Sequence, residues 1–466
     1  MKKSVKRRNN KIRKFIYSNN INYFCRLPGK KFENTFTRNR KISCQDLLLM
    51  TMNKQGKNTS FEIRDFTIKK KGDKMVTYSD EAYLKQRRHL NPNVFKQIND
   101  IYLKDFYEDK EYIERKNGYV LFAIDGSKQE IPNTPKNKEK FGYAENQQGI
   151  NVARALLSSI YDINNHFYVD VQIDRYDSSE IELAKKNIER MLEIVGSEKI
   201  LNVFDRGYPS IEFFYWLEKR NIKFLMRLKK HHYKEEKENM EQEDETIELK
   251  YTDSRLKTIK RKYPDVYKEL KEKKGNEYRF TKIQINEQTT EYLISNTSRE
   301  EFSIEELKEI YGKRWGIEES YDCTKNKLKI ESFTGNLPIF IFQDIYAQVF
   351  VYNQIQDMLY TGNEELIAAN KEKQLKLEYK INENKAIGIY KEQYIRILLI
   401  PNEVERDCEF DNLIKKMERY TSAIRNNRET QPRKWNYRNK YRTNLKPSWV
   451  CKIKCGMSKF GTEITM

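Results

Sequence analysis

Apolar residues recur at helical spacing in the N-terminal quarter of the chain. Between Cys44 and Glu114 this spacing predicts short helices at 45–52, from Ser79 onward, and at 93–108. Ser79 is the predicted N-cap of the second helix, because a hydroxyl can accept a backbone N–H there and acids follow in the first turn. Residues 1–41 are instead polar and basic, which predicts an arm with little fixed structure.

The middle of the chain changes to apolar runs of strand length that alternate with helical patterns. Two of these runs lead directly into an acid, because 119–124 is followed by Asp125 and 200–204 by Asp205. The pattern predicts further strands at 152–160, 166–173 and 222–228, and helices at 179–195 and 210–220. Strands followed by alternating helices and strands indicate an α/β core.

The segment after residue 228 has a different texture. Residues 229–275 are charge-dense, and short runs at 246–252, 278–286 and 290–295 predict antiparallel strands. We therefore expect an insertion in the core, not a continuation of it. Helical patterns follow at 303–329 and 337–359, and a small helical segment beyond about residue 395 leads into a basic tail.

Composition limits the class of protein. Apolar residues make up 38% of the 466, but 31 Tyr and 23 Phe can fill a core, which argues against disorder throughout. No apolar run reaches 18 residues, so no transmembrane helix is expected, and the basic N-terminus leads into no apolar signal core. Six scattered cysteines are too few for a disulfide framework, so we expect reduced cysteines and a cytoplasmic protein.

The net charge of +20 is concentrated at the two ends of the chain. Residues 1–41 have a net charge of +13 and residues 422–466 a net charge of +9, so the part between them sums to −2. Basic ends suit a polyanion such as nucleic acid, although an AT-rich gene also enriches Lys. The short N-terminal helices fit a helical DNA-binding domain or a plain helical bundle.

Three acids are candidates for catalysis. Asp125 and Asp205 follow buried strands, where rigid backbone holds a carboxylate at a crevice. At 100° per residue, four side chains of the helix predicted at 303–329 share a stripe about 60° wide: Tyr311, Arg314, Glu318 and Lys325. An acid between two cations suits a metal ligand beside bound phosphates. On an isolated helix the same spacing would give ordinary charge pairs.

The spacing Tyr-x2-Arg-x3-Glu-x6-Lys matches the YREK signature of DDE transposases of the insertion sequence 4 family, and two further blocks resemble that family. Residues 122–127 (Phe-Ala-Ile-Asp-Gly-Ser) resemble its first acid block, and residues 203–208 (Val-Phe-Asp-Arg-Gly-Tyr) resemble its second. The run at 292–296 is similar to the strand that re-enters the core in that family. The resemblance covers roughly residues 118–335.

The resemblance implies an α/β fold with an RNase H-like core interrupted by a β-rich insertion, an N-terminal helical DNA-binding domain and a basic C-terminal helical tail. In chain order, the expected parts are a basic arm (1–41), a helical DNA-binding domain (42–116), the first part of the catalytic core (117–228), the insertion (229–300), the second part of the core (301–395) and a basic C-terminal region (396–466).

The resemblance also implies the site residues. Asp125, Asp205 and Glu318 would form the DDE triad and hold two Mg²⁺ or Mn²⁺ ions, hard cations that prefer carboxylate oxygens. Asp322, on the same helix face as Glu318, is the alternative ligand. The residues expected to contact DNA are Tyr311, Arg314, Lys325, Arg206 and Trp315, with Trp216 as the other aromatic that could stack on a flipped base.

The implied function is that of a DNA transposase in a bacterial cytoplasm, associated with the nucleoid when bound to DNA. Its expected partner is double-stranded DNA, in a complex that contains a homodimer, and no membrane partner is expected. It would bind terminal inverted repeats, cleave the ends and join 3′-hydroxyl groups to target DNA by two-metal phosphoryl transfer. A DNA-binding relative that does not cut and a metal-dependent nuclease on the same fold are the alternatives. The four histidines and the pair Cys451 and Cys455 form no complete zinc pattern, and no Gly-rich loop implies ATP.

Overall fold

Nine strands form one mixed sheet in the part of the chain that the computed structural model describes, namely residues 3–38, 40–72, 78–146, 149–286, 289–372 and 377–424. In chain order they are β1 (Tyr119–Glu130), β2 (Tyr143–Glu145), β3 (Asn151–Asp162), β4 (Phe167–Arg175), β5 (Lys199–Phe204), β6 (Lys223–Arg227), β7 (Asp244–Lys250), β8 (Gly275–Asn286) and β9 (Thr289–Ser295). Two short strands, β10 (Tyr379–Ile381) and β11 (Thr421–Ala423), lie outside this sheet. The predicted basic tail beyond residue 424, with Cys451 and Cys455, falls outside the described residues.

Helices surround the sheet, and most form where the apolar spacing predicts them. In chain order they are α1 (Lys3–Ile16), α2 (Ile21–Cys25), α3 (Cys44–Met52), α4 (Thr59–Lys71), α5 (Asp80–Arg87), α6 (Asn93–Glu108), α7 (Pro135–Phe141), α8 (Glu180–Val195), α9 (Ile211–Glu218), α10 (Lys234–Glu238), α11 (Asp253–Lys262), α12 (Pro264–Lys273), α13 (Ile304–Lys313), α14 (Trp315–Asp322), α15 (Pro338–Glu372), α16 (Glu383–Leu399) and α17 (Glu403–Glu418). Ser79 caps α5 as predicted, since its hydroxyl accepts the N–H of Ala82 at 3.2 Å. No helix within these described ranges combines the length and the apolar character that crossing a bilayer requires.

The chain divides into two compact units. Residues 1–375 and 379–422 form the first unit, and residues 376–378 and 423–466 form the second. The nine-stranded sheet and its helices belong to the first unit. Of the second unit, the structure describes only residues 377–378 and 423–424.

Three parallel strands form the middle of the sheet. β5 pairs in parallel with β1 on one side and with β6 on the other, while β3 pairs with β1 antiparallel. The carboxyl ends of β1, β5 and β6 therefore meet at one edge of the sheet. This arrangement confirms the predicted mixed α/β architecture.

The strands after residue 228 extend this sheet, so the segment expected as an insertion shares the sheet of the core. β9 pairs antiparallel with β6, with Met226 opposite Ile294, and β8 and β7 follow outward from β9. The segment also contains three helices, α10, α11 and α12. The core sheet gains strands there because apolar residues of β9, such as Leu293 and Ile294, are fully buried against it.

The basic N-terminal segment is helical and packed, so the prediction of a loosely structured arm is wrong. α1 buries Val5, Ile12 and Ile16 and packs on α6. Arg8 of α1 is only 1% exposed and pairs with Asp357 of α15 at 2.6 Å. A buried charge is tolerated only with a partner, and here the partner lies on a helix that is distant in sequence.

A disulfide joins the end of α2 to the start of α3. It links Cys25 and Cys44, both of which are buried. The prediction of reduced cysteines is therefore wrong for this pair, while Cys323 and Cys408 are free.

Candidate active site

Asp125 and Asp205 lie side by side on two central parallel strands. The register pairs Ile124 of β1 with Phe204 of β5, so the next residue on each strand is one of the two acids. Neighbouring strands are about 4.8 Å apart, which brings the two carboxylates close together. Asp205 comes directly after the last residue of β5, as predicted.

The prediction that Asp125 ends its strand is wrong. β1 continues to Glu130, because its second half pairs with β3 and places Asp125 opposite Ser159. The polar residues after Asp125 carry no apolar signal of a strand. Pairing with β3 before and after this position therefore holds Asp125 more firmly than a strand end would.

A third carboxylate, which sequence reasoning missed, lies near enough to these two acids for their charges to interact. Glu180 is the first residue of α8, and its Oε1 is 3.0 Å from the point that a Cβ on Gly126 would occupy. Its Oε2 is 3.8 Å from the corresponding point on Gly207. Acids are common in the first turn of helices, so the sequence gives no signal that distinguishes Glu180 from an ordinary first-turn residue.

The three carboxylates and Glu318 influence one another. Burial raises the pKa of the Asp125 carboxyl to about 6, and Glu318 and Glu180 act in the same direction. The N–H of Gly126 and the charge of Arg314 oppose this rise in pKa. Burial also raises the pKa of Glu180, with a further contribution from Asp205. These carboxylates therefore form one electrostatically connected group.

Tyr208 adds a buried hydroxyl beside this acidic group. Its side chain is 1% exposed, and its hydroxyl has no hydrogen-bond partner among the described residues. Burial raises the pKa of this phenol well above its ordinary value, and the charges of Asp125, Glu180 and Asp205 raise it further. A buried hydroxyl without a hydrogen-bond partner lowers the free energy of unfolding by about 1–3 kcal/mol. Tyr208 therefore keeps a hydrogen-bond donor beside the acids at a cost in stability.

The single helix predicted at 303–329 is interrupted. It consists of α13, α14 and a π-helical turn at Cys323–Lys327, with a break at Arg314. α13 brings Tyr311 to the acids, because its hydroxyl donates to Oδ1 of Asp205 at 3.4 Å. Arg314 donates from Nη2 to Oε1 of Glu318 at 2.8 Å. Three of the four residues of the predicted stripe thus lie together at the acids.

Lys325 lies in the π-helical turn, where the spacing of 100° per residue does not apply. The turn is closed by a bond from the N–H of Leu328 to the carbonyl of Cys323, and such a turn is wider than an α-helical one. Lys325 reaches back to β1, where its Nζ donates to Oγ of Ser127 at 2.7 Å and to the carbonyl of Lys128 at 3.3 Å. Its ammonium group therefore lies two residues beyond Asp125 along the strand.

Arg314 is buried, whereas the alternative interpretation of the sequence places it in a charge pair on an exposed helix. Its residue is 4% exposed, and its guanidinium packs over the rings of Tyr311 and Trp315 at 5.7 and 5.8 Å. Its Nε has no hydrogen-bond partner among the described residues. Trp315 itself is 60% exposed, so the other face of its ring is open to a ligand.

The remaining candidates have other surroundings. Asp322 is exposed, and its carboxylate accepts a hydrogen bond from Asn326. Trp216 stacks on Phe213 at 6.0 Å and lies under the guanidinium of Arg220 at 3.8 Å. Arg206 lines a cleft together with its neighbour Asp205.

The acids fit a divalent metal only in part. Within the described ranges, no three His, Cys, Asp or Glu side chains form a group that could hold a metal ion. The carboxylates of Asp125 and Asp205 have the oxygen donors that Mg²⁺ prefers. Glu318, however, is paired with Arg314. Glu318 could therefore act as a further carboxylate ligand only after it separates from Arg314.

The raised pKa of Asp125 predicts that Asp125→Asn stabilises the protein at pH 8. The Asp125 carboxyl has an ordinary pKa of about 4 in the unfolded chain and a pKa of about 6 in the folded protein. The folded protein therefore loses stability as the pH rises from about 4 to about 6. The cost is complete above pH 6 and absent well below pH 4, so the variant should gain on the order of 1–3 kcal/mol at pH 8 and little at pH 4. Thermal unfolding at both pH values without divalent cations measures this, with Asp322→Asn as the exposed control. Equal melting temperatures at pH 8 would contradict the prediction.

The sequence model of the family described as transposase DDE domain matches residues 116–354, just over half of the chain. The matched range includes β1, β5, α13 and α14. No curated protein sequence matches the chain. Among solved structures, the cryo-EM structure of the piggyBac transposase synaptic complex with hairpin DNA is 10% identical, with a TM-score of 0.44, and the match covers 95% of this chain and 91% of that chain.

Proposed function

The chain belongs to the family of transposase DDE domains and is a DDE transposase enzyme, and from this premise we propose that it moves a DNA element of the insertion sequence 4 type. It binds the terminal inverted repeats of that element and cleaves its ends. It then joins the freed 3′-hydroxyl groups to target DNA. The YREK residues, on α13, α14 and the turn that follows, act at the cleaved phosphate.

One observation carries the proposal. Asp125 and Asp205 each come directly after a residue of the paired Ile124 and Phe204, and Glu318 lies close enough to raise the pKa of Asp125. Three elements far apart in sequence thus deliver carboxylates to one place, and the Tyr311 hydroxyl donates to Asp205 there. An exposed helix with ordinary charge pairs would have no reason to direct the Tyr311 hydroxyl at Asp205, which lies on a different element.

In the proposed site, Asp125, Asp205 and Glu318 hold two Mg²⁺ or Mn²⁺ ions. Such ions activate water or a 3′-hydroxyl and offset the charge on the leaving oxygen. Arg314 exchanges its bond to Glu318 for a backbone phosphate, which releases Glu318 toward the two aspartates. Its planar fork and free Nε suit two phosphate oxygens. Lys325 and Tyr311 bind neighbouring phosphates, and Trp315 stacks on a base.

We assign the other parts of the chain to DNA binding and assembly. Residues 117–228 and 301–395 form an RNase H-like core, and residues 229–300 form an insertion whose strands extend its sheet. The helices of 42–116 bind the inverted repeats, and the basic regions 1–41 and 396–466 strengthen binding through the phosphate backbone. Two copies of the chain pair two element ends in the DNA complex.

The DNA beside the gene provides the first test of this function. We expect inverted repeats that are flanked by short direct repeats, and the full chain should shift a labelled duplex of one repeat at lower concentration than a scrambled duplex. Equal affinity for the two duplexes would contradict inverted-repeat recognition. Specific binding without cutting in Mg²⁺ would favour the DNA-binding alternative.

Arg314→Lys should lower the rates of cleavage and joining by about 10–100-fold, a loss of about 1.4–2.7 kcal/mol, while DNA binding stays within a few fold of wild type. The substitution keeps the charge but removes the planar fork that serves Glu318 and then a phosphate. Single-turnover cleavage, binding affinity and melting temperature should be measured on the same preparation. The matched control is Lys313→Arg, because Lys313 pairs with Glu309 outside the acidic group. A wild-type cleavage rate for Arg314→Lys would contradict the assigned role.

A further inference from the structure

A basic cleft of about 970 Å³ opens beside Asp205, and neither the sequence pattern nor the YREK residues account for it. It lies between the loop that follows β5 (residues 205–207), the end of β6 and its continuation (227–231), α10, and residues 290–292 of β9. This basic cleft therefore begins at a proposed metal ligand and extends along the segment at 229–300.

The lining of the basic cleft is predominantly positive. Six Lys and Arg side chains face three acids there. Two of the cations are paired within the cleft, Arg227 with Glu291 at 2.5 Å and Lys234 with Glu238 at 3.4 Å. Of the other four cations, Lys237 donates to backbone carbonyls, and three have no ion pair or hydrogen bond of their side chains among the described residues: Arg206, Lys229 and Lys230. An anionic ligand would find these three cations available.

Lys237 adds a fourth positive charge, which is buried beneath the backbone of Lys229 and Lys230. Its side chain is 7% exposed, and its Nζ donates to the carbonyls of Lys229 and Lys230 at 2.9 and 2.8 Å. These bonds fix the backbone that carries two of the available lysines. Burial lowers the pKa of His232 to about 4, and the nearby positive charges of His231, Lys229 and Lys237 lower it further.

The strand order places the basic cleft on the opposite side of Asp205 from Lys325. Across the sheet, the order is β1, β5, β6 and β9. Lys325 is tied to Ser127 on β1, Asp205 follows β5, and the cleft lies at β6 and β9. From β1 to β9 there are three strand spacings of about 4.8 Å, or about 14 Å in total. This distance corresponds to roughly four nucleotides along one strand of a DNA duplex.

We propose that the basic cleft binds the sugar-phosphate backbone of DNA on the side of the cleaved phosphate that faces away from Lys325. The placement relative to the cut rests on the proposed function, whereas binding of DNA in the cleft does not. Arg206, Lys229 and Lys230 contact successive phosphates along the strand. The cleft thus holds the DNA across the acids from two sides, with Lys325 on one side and these cations on the other.

The salt dependence of DNA binding tests the proposal without requiring catalysis. A fluorescein-labelled 30-base-pair duplex of mixed sequence is titrated with the full chain at several NaCl concentrations. Each phosphate contact contributes about 0.9 to the slope of log K against log salt. We expect Lys229→Gln/Lys230→Gln to reduce this slope by about 1.5–2 and the affinity by about 10-fold or more at 0.1 M salt.

The matched control removes the same charge from the same segment outside the cleft. Lys257 and Lys268 are exposed on α11 and α12, and Lys257→Gln/Lys268→Gln should change the affinity by less than about twofold. Lys230 is exposed, so the single reversal Lys230→Glu gives a second measurement with little effect on folding. Equal slopes for wild type and the cleft variant, or equal losses in the cleft and control variants, would overturn the proposal. If the cleft variant shows the expected reduction in slope but the wild-type protein never cleaves DNA, the result would argue against the proposed function and not against DNA binding in the cleft.

Discussion

Asp125→Asn, Asp205→Asn and Glu318→Gln will each reduce DNA cleavage by at least about 10³-fold and leave DNA binding within a few fold of wild type. Each change keeps the shape of the side chain and removes one anionic oxygen ligand. A bound metal supplies several kcal/mol of transition-state stabilisation, and each 1.4 kcal/mol is a factor of ten in rate. Cleavage of a labelled element end in Mg²⁺ gives the rate, and gel shift of the same DNA gives the affinity.

The control for these three variants is Glu319→Gln. Glu319 is exposed and adjacent to Glu318 on α14, so it tests whether any loss of negative charge on this helix suffices. We expect it to cleave at the wild-type rate. If Glu318→Gln cleaves normally, Glu318 is not a ligand, and Asp322→Asn should be assayed next. Full activity of Asp125→Asn or Asp205→Asn would contradict the assignment of the whole site.

Arg8→Ala should destabilise the protein by about 3–5 kcal/mol, because it leaves Asp357 as an unpaired buried charge. Asp357 accepts bonds from Arg8 at 2.6 Å and from the hydroxyl of Tyr102 at 2.5 Å, and both acid and arginine are almost fully buried. The guanidinium also packs over the rings of Tyr102 and Phe106 at 5.5 and 5.4 Å. Urea unfolding followed by circular dichroism measures the change in free energy of unfolding.

Lys14→Ala is the matched control for Arg8→Ala. Lys14 lies on the same helix, with a side chain that is 71% exposed and 3.7 Å from Glu403. An exposed pair of this kind contributes at most about 1 kcal/mol. A loss below about 1 kcal/mol for Arg8→Ala would show that α1 is not part of the folded core. It would also restore the idea of an independent basic arm, which could then be deleted to test its contribution to DNA binding.

The contrast between Arg8 and Lys14 shows what the sequence of α1 can and cannot predict. Both are basic residues in a basic segment, and composition makes them look alike. Apolar residues at Val5, Ile12 and Ile16 are spaced for one helix face, and they are the signal that could have predicted packing. The partner of Arg8 lies 349 residues away, and no local pattern can place it.

The core strands were predictable because burial on both faces leaves continuous apolar runs. The runs at 119–124 and 200–204 correctly predict the buried parts of β1 and β5, each of which leads into an acid. The continuation of β1 to Glu130 was not predictable, since those residues are polar and their pairing depends on β3. The pairing of β9 with the core was expected only from the family resemblance of the run at 292–296, because local pattern does not show which strands are neighbours.

The candidate site was predictable where it depends on periodicity and not where it depends on tertiary contact. Helical spacing correctly places Arg314 next to Glu318. It cannot reveal the π-helical turn that carries Lys325 or the position of Glu180 between two glycines. The basic cleft is likewise assembled from four separate stretches of chain.

Joining of DNA by the purified full chain tests the central claim most directly. A plasmid that carries the gene with its natural flanking DNA is incubated with the protein, Mg²⁺ and a second, target plasmid, and the new junctions are sequenced. We predict junctions in which both 3′ ends of the element are linked to target DNA, and none with Glu318→Gln. Cut ends without junctions, or no cutting by folded protein that binds this DNA, would contradict the account.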